Sequence, residues 1–377
     1  MTSVHPLLQR LGLSLPIVQA PMAGVSTPAM AAAVSEAGGL GSLGIGAMTA
    51  AQAHATIAET RQLTRRPIHV NLFCHQPARR DAQREAAWLR HLQPLFHQWG
   101  APLPATLNEI YPSFTQAPDV LAVILQARPE VLSFHFGLPT PAQLQAIRAA
   151  GIFTMATATN LDEAQQIAQA GVDAVIAQGI EAGGHRGMFD PDAVDEGLST
   201  FTLVQVLVRH SPLPVVAAGG IMDGRGIRAM LSLGAAAAQL GTAFVLCPES
   251  AASAGYRAQL GGADRTTGHI TPPPTRLTRV ISGRPARGLV NALITHGEQA
   301  GSPPPPDYAV AYDAAKQLHA AAARQGSSAC AAHWAGQGAS LARALPAREL
   351  VAALAREMAL DVGADVAPGV APEGVPK

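Results

Sequence analysis

The stretch PVVAAGGIMDGRGIRAMLSLGAAAAQLGTAFVL, residues 214–246, contains two short apolar runs separated by a segment of helical periodicity. The first run, PVVAAGG, ends in two glycines, and the second, AAQLGTAFVL, begins at Ala237. Apolar runs that alternate with helical segments are typical of βαβ units, whose strands lie side by side in a parallel sheet. The stretch therefore predicts a strand, a helix and a second strand of an α/β fold.

The same alternation extends back to residue 16 and gives eight apolar runs. They are PIVQAPM from Pro16, LGSLGI from Leu40, IHVNLF from Ile68, VLSFHFG from Val131, FTMATAT from Phe153, AVIAQG from Ala174, and the two runs from Pro214 and Ala237. Eight parallel strands close a (β/α)8 barrel, or TIM barrel. A doubly wound open sheet is the rival fold, but it predicts a GxGxxG turn after the first strand, where this sequence has APMAGVSTP. We therefore predict a TIM barrel.

The segments between the runs carry helix start and stop signals. Thr27-Pro28, Thr140-Pro141 and Asn160 each precede a helical pattern, and each pattern ends at a glycine, where a left-handed cap is favourable. These signals support helices between the strands.

Other parts of the chain are expected to lie outside the barrel. Residues 1–76 and 119–250 supply the predicted barrel, and residues 77–118 form an insertion after strand 3. This insertion and residues 251–345, which begin Gly/Pro-rich and contain a helical run from Tyr308 to Arg324, are expected to form a smaller substrate-binding or lid domain. A C-terminal helix is predicted over 346–362, and residues 363–377 are expected to be a disordered tail.

Composition limits the partners. Twenty-six basic residues balance twenty-six acidic residues, so no broad field is available for nucleic acid or an anionic membrane. Cys74, Cys247 and Cys330 are far apart and form no CxxC pair, which argues against a disulfide framework or a thiolate metal site. With no secretion signal or membrane span in the sequence, we expect a cytoplasmic monomer or homodimer that acts on a small molecule without a metal.

Glycines mark the ends of the last two predicted strands. In barrels of this kind, backbone N–H groups after strands 7 and 8 commonly bind a phosphate group. Gly219, Gly220, Gly241 and Thr242 fit that role, and backbone amides bind an anion without formal positive charge. The alternative is that these glycines only form turns.

Polar residues at other strand ends are further candidates. Asn71 and Gln178 end apolar strands and suit the edge of a flavin pyrimidine ring, unless they bond a neighbouring loop. His185 lies in IEAGGHRG, residues 180–187, whose glycines are expected to leave its imidazole projecting without the packing partners of a structural histidine.

A second group of candidates lies mostly in the insertion and the C-terminal region. Tyr308, Tyr312 and Lys316 recur every four residues, so on a helix they share one face that could offer hydroxyls and a cation to an anionic substrate; an exposed amphipathic face is the alternative. His135, Tyr111 and Tyr256 are added to this group. No HExxH, GxxxxGK[ST] or GxSxG occurs, which argues against metalloprotease, P-loop and serine-hydrolase activities.

Together these stretches resemble a known family, the class I nitronate monooxygenases, formerly called 2-nitropropane dioxygenases. The matching stretches are PIVQAPMAGVSTP, HVNLF, SFHFG, AQGIEAGGHRG, PVVAAGGI, QLGTAF, DYAVAYDAAKQLHAAA and WAGQG, which begins at Trp334. The resemblance implies bound FMN, with His185 facing the flavin on the substrate side. It implies cofactor contacts by Met22, Asn71, Gln178, Gly183, Gly220, Gln239, Leu240, Gly241 and Thr242, and a substrate pocket lined by Tyr111, Tyr256, Tyr308, Tyr312 and Lys316.

The reaction implied is oxidation of an alkyl nitronate, with propionate 3-nitronate as the expected substrate, by O2 to nitrite and a carbonyl product, in a detoxification role. His185 could anchor the nitronate or remove the α-proton of a nitroalkane as a general base. Two alternatives stay open: an NAD(P)H-dependent flavin oxidoreductase, such as a quinone or enoyl reductase, and a barrel that binds a phosphate-bearing ligand without redox chemistry.

Overall fold

Eight parallel strands form the central barrel in a computed structural model, which describes residues 5–262 and 274–359. The barrel strands are β1 (Ile17–Gln19), β2 (Gly41–Gly44), β3 (Ile68–Phe73), β4 (Val131–His135), β5 (Phe153–Ala158), β6 (Ala174–Gln178), β8 (Val215–Ala218) and β9 (Ala237–Leu240). They pair in the order β1-β9-β8-β6-β5-β4-β3-β2. A parallel bridge between Val18 and Leu40 joins the two ends of the sheet. The predicted TIM barrel is confirmed.

The last strand is shorter than the run that predicts it. Only Ala237–Leu240 is extended, and residues Thr242–Phe244 form a 3₁₀ helix instead. The run AAQLGTAFVL stays apolar beyond the strand because Phe244 and Val245 are buried in the core. An apolar run that does not alternate with polar residues is compatible with either a strand or a short helix. The predicted strand was therefore wrong beyond Leu240.

The helices begin where the capping residues indicate. Thr27, Thr140 and Asn160 each accept a hydrogen bond at a helix N-terminus, and each of these helices is followed within two residues by a left-handed glycine. The α-helices are α1 (Pro6–Leu11), α2 (Pro28–Glu36), α3 (Ala50–Leu63), α4 (Ala82–Gln98), α5 (Pro118–Ala127), α6 (Pro141–Ala149), α7 (Leu161–Gln169), α8 (Thr200–His210), α9 (Gly224–Ser232), α10 (Ala254–Gly261), α11 (Ala292–Gly297), α12 (Val310–Arg324) and α13 (Ala347–Ala359). Short 3₁₀ helices also cover Phe114–Gln116 and Ala339–Leu341.

The two ends of the barrel differ. Leu7, Leu8 and Leu11 of α1 are buried against interior residues such as Phe153 and Met155, so this short helix closes the end at which the strands begin. The sequence patterns did not predict α1. Because one end is closed, a ligand site inside the barrel must open at the carboxyl ends of the strands.

A separate apolar cluster lies outside the barrel. Trp88 and Phe96 of α4 pack with Leu293 of α11, Leu318 of α12 and Val280. The insertion and the C-terminal region therefore share a core, which is the arrangement expected for one smaller unit. Its exact boundaries, 77–118 and 251–345, stay a prediction.

A small antiparallel sheet connects this region to the barrel. It comprises β7 (Gly184–His185), β11 (Ala286–Leu289) and β10 (Thr275–Thr278), in the order β10-β11-β7. His185 pairs with Ala286, so the histidine loop is held by a strand about a hundred residues further along the chain.

The C-terminal helix packs on the outside of the barrel. Leu350, Val351 and Leu354 of α13 are buried, and Glu357 accepts a hydrogen bond of 2.8 Å from the backbone of Gly224 at the start of α9. The predicted helix over 346–362 is observed as far as Ala359, and the predicted tail, 363–377, lies outside the described residues. Across the described ranges, no helix is long and apolar enough to cross a membrane, and no three His, Cys, Asp or Glu side chains are grouped to hold a metal ion.

Candidate active site

One large cavity of about 820 Å³ opens at the carboxyl ends of the barrel strands. Its volume lies within the range of roughly 300–1,000 Å³ that is usual for small-molecule and cofactor sites. It is bordered by these residues from the predicted set: Met22, Asn71, Tyr111, His135, Gln178, Gly183, His185, Gly219, Gly220, Gln239, Gly241, Thr242, Tyr256, Tyr308, Tyr312 and Lys316. Leu240 is the exception, since it is 1% exposed and lies in the core.

The glycine ends of β8 and β9 form a group of backbone donors. Gly219 and Gly220 have φ values of 123° and 68°, which explains why glycine is required at both positions. Within the described part of the chain, the N–H groups of Gly219, Gly220, Gly241 and Thr242 donate to no protein acceptor. Uncommitted backbone N–H groups beside a cavity are suited to an anion.

The three predicted side-chain amides at the cavity differ in how many of their hydrogen-bonding groups already have protein partners. Gln178 donates to the carbonyl of His185 at 2.9 Å and accepts from the N–H of Gly187 at 2.7 Å, so it fixes a neighbouring loop, as the alternative held. The Asn71 amide nitrogen donates to Ser133 Oγ at 2.8 Å, and its oxygen has no partner among the described residues. Gln239 Oε1 is buried without a hydrogen-bond partner. Asn71 and Gln239 therefore retain hydrogen-bonding capacity for a ligand.

Met22 has little backbone capacity left. Its N–H donates to Ser26 Oγ at 2.9 Å, and its carbonyl accepts from the N–H groups of Val25 and Ser26. Only its side chain remains to contact a molecule in the cavity.

His185 lies at the centre of an aromatic group. Its ring centroid is 5.0 Å from that of Trp334, 5.4 Å from that of Tyr308 and 5.5 Å from that of Phe136. The expectation that neighbouring glycines leave His185 without packing partners is wrong, because the partners come from distant segments. The glycines serve close packing instead: a Cβ on Gly183 would lie 2.5 Å from the backbone nitrogen of Gly336.

Other polar groups fix the position of His185. Its Nε2 is 2.9 Å from Ser282 Oγ, and its carbonyl oxygen is 3.1 Å from His135 Nε2. Burial, followed by the charges of His135 and Arg284, lowers the pKa of His185 well below its usual value. Burial also lowers the pKa of His135 to about 4. Both imidazoles are therefore neutral at pH 7.

The tyrosines and the lysine occupy the outer side of the cavity. Tyr308 lies just before α12 and not on it, but its ring is still 6.5 Å from that of Tyr312. Burial raises the pKa of both phenols, so each keeps its proton. Lys316 is exposed at the rim, with Nζ 5.0 Å from the ring centre of Tyr111. The cavity thus has neutral hydroxyls inside and a cation at its entrance.

Tyr256 differs from the other tyrosines. Its hydroxyl donates to the backbone carbonyl of Trp334, and its ring is stacked on His333 with centroids 4.4 Å apart. The hydroxyl is therefore committed to holding the segment that carries Trp334.

Several residues at or behind the cavity were not among the predicted site residues. Trp334 is the clearest, and the WAGQG stretch is the signal that could have identified it. Arg284 is buried with its guanidinium 4.3 Å from the Phe136 ring centre, and burial lowers its pKa to about 10. Neither Arg284 nor Ser282 follows a barrel strand, so reading strand ends could not find them.

The C-terminal segment at Gly336 and Gln337 is bonded to two loops beside the glycine group. Thr242 Oγ1 accepts from the N–H of Gly336 at 3.0 Å, and the carbonyl of Glu181 accepts from the N–H of Gln337 at 2.9 Å. The C-terminal segment thereby covers the end of the cavity at which these glycines lie.

Comparison with known proteins identifies the family. Residues 5–357 match the family described as nitronate monooxygenase. The chain belongs to the nitronate monooxygenase family. It is 55% identical to a nitronate monooxygenase of Paraburkholderia phytofirmans over 358 residues, covering 95% of this chain and 96% of that protein.

Solved structures agree with this assignment. The nitroalkane oxidase of Streptomyces ansochromogenes superposes with a TM-score of 0.83 at 40% identity, covering 93% of this chain and 97% of that one. FabK of Thermotoga maritima is more distant, with a TM-score of 0.68 at 28% identity and coverage of 94% and 95%. This nitronate monooxygenase family member is an oxidoreductase with a TIM barrel, and its family is flavin-dependent.

The residues present fit a flavin. An isoalloxazine ring presents an imide edge with one N–H donor between two carbonyl acceptors, and the free oxygen of Asn71 and the unpartnered amide of Gln239 are available to such an edge. The uncommitted N–H groups of Gly220 and Gly241 border the same cavity, as a phosphate would require.

Proposed function

We propose that this chain binds FMN in the barrel cavity and oxidises alkyl nitronates with O2, releasing nitrite and a carbonyl product. Propionate 3-nitronate is the proposed substrate. The observation that carries the proposal is that one cavity combines a group of free backbone donors, uncommitted amides and a neutral histidine surrounded by aromatic rings.

The shape of the cavity at the glycine ends of β8 and β9 supports FMN rather than a larger flavin. The N–H groups of Gly219, Gly220, Gly241 and Thr242 suit one terminal phosphate. Gly338 and Gly336 bring the C-terminal segment against this end, since a Cβ on Gly338 would lie 3.3 Å from the carbonyl oxygen of Gly220. A second phosphate and a nucleoside would have to pass this segment. When bound, FMN supplies the one-electron redox chemistry that side chains lack.

The cofactor contacts are proposed from the cavity wall. Asn71 and Gln239 would bond the ring edge, the glycine group would bond the phosphate, and Met22 and Gly183 would contact the flavin through packing. Gln178 would act by holding the backbone of His185. Leu240 would act only through the position it gives to Gln239 and Gly241.

The substrate side of the cavity suits a nitronate, which is already an anion before it binds. Lys316 attracts the nitronate at the entrance, and the protonated hydroxyls of Tyr308 and Tyr312 donate hydrogen bonds within the cavity. His185, being neutral, offers one N–H and one lone pair. Its lowered pKa makes it a weak base, so we assign it to holding the nitro group and not to removing an α-proton.

The surrounding rings cover part of His185, which is half-buried. The rings of Trp334 and Phe136 lie 5.0 and 5.5 Å from the His185 ring, centroid to centroid, and the Tyr256 hydroxyl holds Trp334 through its backbone carbonyl. Hydrogen bonds to an anion are stronger where water is excluded, because the effective dielectric constant is lower.

The test is a spectrum followed by anaerobic mixing. Purified protein is expected to be yellow, to release FMN on denaturation, and to be bleached by propionate 3-nitronate without oxygen. NADH and NADPH are expected not to bleach it within the same time. Oxygen uptake with the nitronate, accompanied by nitrite release, completes the measurement.

Two outcomes contradict the proposal. Fast bleaching by NADH with no response to nitronate would assign the chain to the NAD(P)H-dependent flavin oxidoreductases. Colourless protein that cannot be reconstituted with FMN would favour the non-redox phosphate-ligand barrel.

A further inference from the structure

A chain of buried polar groups crosses the barrel interior and ends at the cavity. His69 is fully buried on β3, with its Nδ1 2.8 Å from Ser42 Oγ on β2 and its Nε2 2.6 Å from Ser133 Oγ on β4. Ser133 Oγ also lies 2.8 Å from the amide nitrogen of Asn71. The arrangement follows from register, because Ser42 is opposite His69 and Ser133 is opposite Asn71 in the parallel sheet.

Counting donors and acceptors shows which nitrogen of His69 carries the proton. Burial lowers the pKa of His69 to about 3, so the ring is neutral and has one donor and one acceptor nitrogen. A hydroxyl has a single proton to donate. If His69 Nε2 accepts that proton from Ser133, then Ser133 Oγ can accept from the Asn71 amide nitrogen, and His69 Nδ1 donates to Ser42. Every group between Ser42 and Asn71 is then satisfied.

The opposite tautomer of His69 would leave the hydroxyl proton of Ser133 without a protein acceptor. If His69 Nε2 carried the proton, Ser133 Oγ could accept from both His69 and Asn71, but its own proton would have no other acceptor among the described residues. If Ser133 donated to Asn71 instead, the amide would turn its oxygen toward the Ser133 carbonyl oxygen, which lies 3.3 Å from that amide position and can only accept. With the Ser133 proton given to His69, both Ser133 Oγ and the Ser133 carbonyl accept from the Asn71 amide nitrogen, and the amide oxygen is left facing the cavity.

We propose that His69 is a positioning residue that, through Ser133, holds Asn71 with its amide oxygen toward the cavity, where it selects a ring that presents an N–H donor. The inference rests on the proposed flavin, whose oxidised ring has one such donor, at N3. Asn71 Oδ1 is free to accept it, since no described residue bonds that atom. The orientation matters because the reversed amide would present a donor to a donor.

The test compares FMN with FMN methylated at N3, which cannot donate. Apo-protein is titrated with each compound, and the ratio of the two dissociation constants is measured for wild type, His69→Asn, His69→Gln and Ser133→Ala. We expect the wild type to favour FMN at least tenfold, a factor that corresponds to about one hydrogen bond. His69→Asn and Ser133→Ala should lower the ratio severalfold, because the first no longer takes the Ser133 proton and the second removes the shared hydroxyl, which leaves only the Ser133 carbonyl to hold the Asn71 amide nitrogen.

His69→Gln is the matched control. Its longer amide can place an acceptor where Nε2 lies, so the preference for FMN should be largely kept. A ratio is insensitive to general loosening of the barrel, which weakens both compounds alike, and Ser133→Ala remains available if His69→Asn does not fold.

The outcomes separate this inference from the proposed function. FMN binding by wild type with a ratio near one, or an unchanged ratio in both His69→Asn and Ser133→Ala, would overturn the role of His69 alone. Failure of wild type to bind FMN would overturn the proposed cofactor and this inference with it.

Discussion

Gly220→Ala tests whether the glycine group binds the FMN phosphate. Gly220 has a φ of 68°, and a Cβ there would lie 3.1 Å from Glu181 Cβ. The left-handed conformation costs an alanine about 1–2 kcal/mol of folding free energy. Gly151 is a matched control, because it has a φ of 77° at the end of α6 and nothing within 4 Å of a Cβ. Both variants should lose similar stability, but only Gly220 borders the cavity.

The expected difference lies in cofactor affinity. Relief of strain at Gly220 moves its N–H away from the anion, and a hydrogen bond to a charged group contributes roughly 1.5–3 kcal/mol. This corresponds to a dissociation constant for FMN about 10- to 150-fold higher in Gly220→Ala than in Gly151→Ala. Flavin fluorescence titration of the apo-proteins gives the constants, and thermal unfolding without FMN gives the stabilities.

A variant without backbone strain completes the experiment. Gly241 has a φ of −106°, and a Cβ there would only touch Ala20 Cβ at 3.4 Å and the Met22 sulfur at 3.7 Å. Gly241→Val should therefore fold normally while its γ-carbons occupy the cavity wall. Equal FMN affinity in Gly220→Ala, Gly151→Ala and Gly241→Val would refute the assignment of the phosphate to these strand ends.

Three further predictions concern the substrate side and the lid. Lys316→Met should raise KM for nitronate about tenfold with little change in kcat, because a cation at the rim attracts ground state and transition state alike; an unchanged KM would assign Lys316 to an exposed face. His185→Asn should lower nitronate turnover at least tenfold while FMN stays bound, and wild type should show little activity on neutral nitroalkanes; loss confined to nitroalkanes would make His185 a base instead. Burial acts to raise the pKa of Asp307, but hydrogen bonds from Arg79 outweigh it and the pKa is lowered. Asp307→Asn should therefore cost about 1 kcal/mol of stability at pH 7, a difference that disappears as pH falls through the folded-state pKa, and an equal loss at pH 7 and pH 2 would contradict this.

The barrel and the glycine group could be predicted because their signals are local. Apolar runs, capping residues and strand-end glycines depend on a few neighbouring residues, and a parallel sheet orders them in a known way. Asn71 shows what the sequence does not reveal. Its position at a strand end can be predicted, but the Ser133 carbonyl that orients its amide becomes a neighbour only through the register of β3 and β4.

The surroundings of His185 were not predictable for the same reason. Its ring contacts come from residues 136, 308, 312 and 334, and its strand partner is Ala286. Each contact joins segments between about fifty and a hundred and fifty residues apart, and no local pattern encodes such a pairing. Gln178 lines the cavity, but its bonds to the backbone of His185 and Gly187 come from a loop that returns to the strand end, and the residues around Gln178 do not reveal that return.

The distribution of charge around the cavity explains why a neutral histidine suits the proposed reaction. A permanently protonated imidazole at the centre would hold the anionic substrate tightly and equally hold anionic product, nitrite among them. The structure instead keeps formal charge at a distance: Lys316 lies at the entrance, and Arg284 lies behind the Phe136 ring. Burial keeps His185, Tyr308 and Tyr312 uncharged, so they contribute direction through hydrogen bonds while the distant cations contribute attraction. An anion can then enter along the field, be oriented by neutral donors, and leave once its shape no longer matches them.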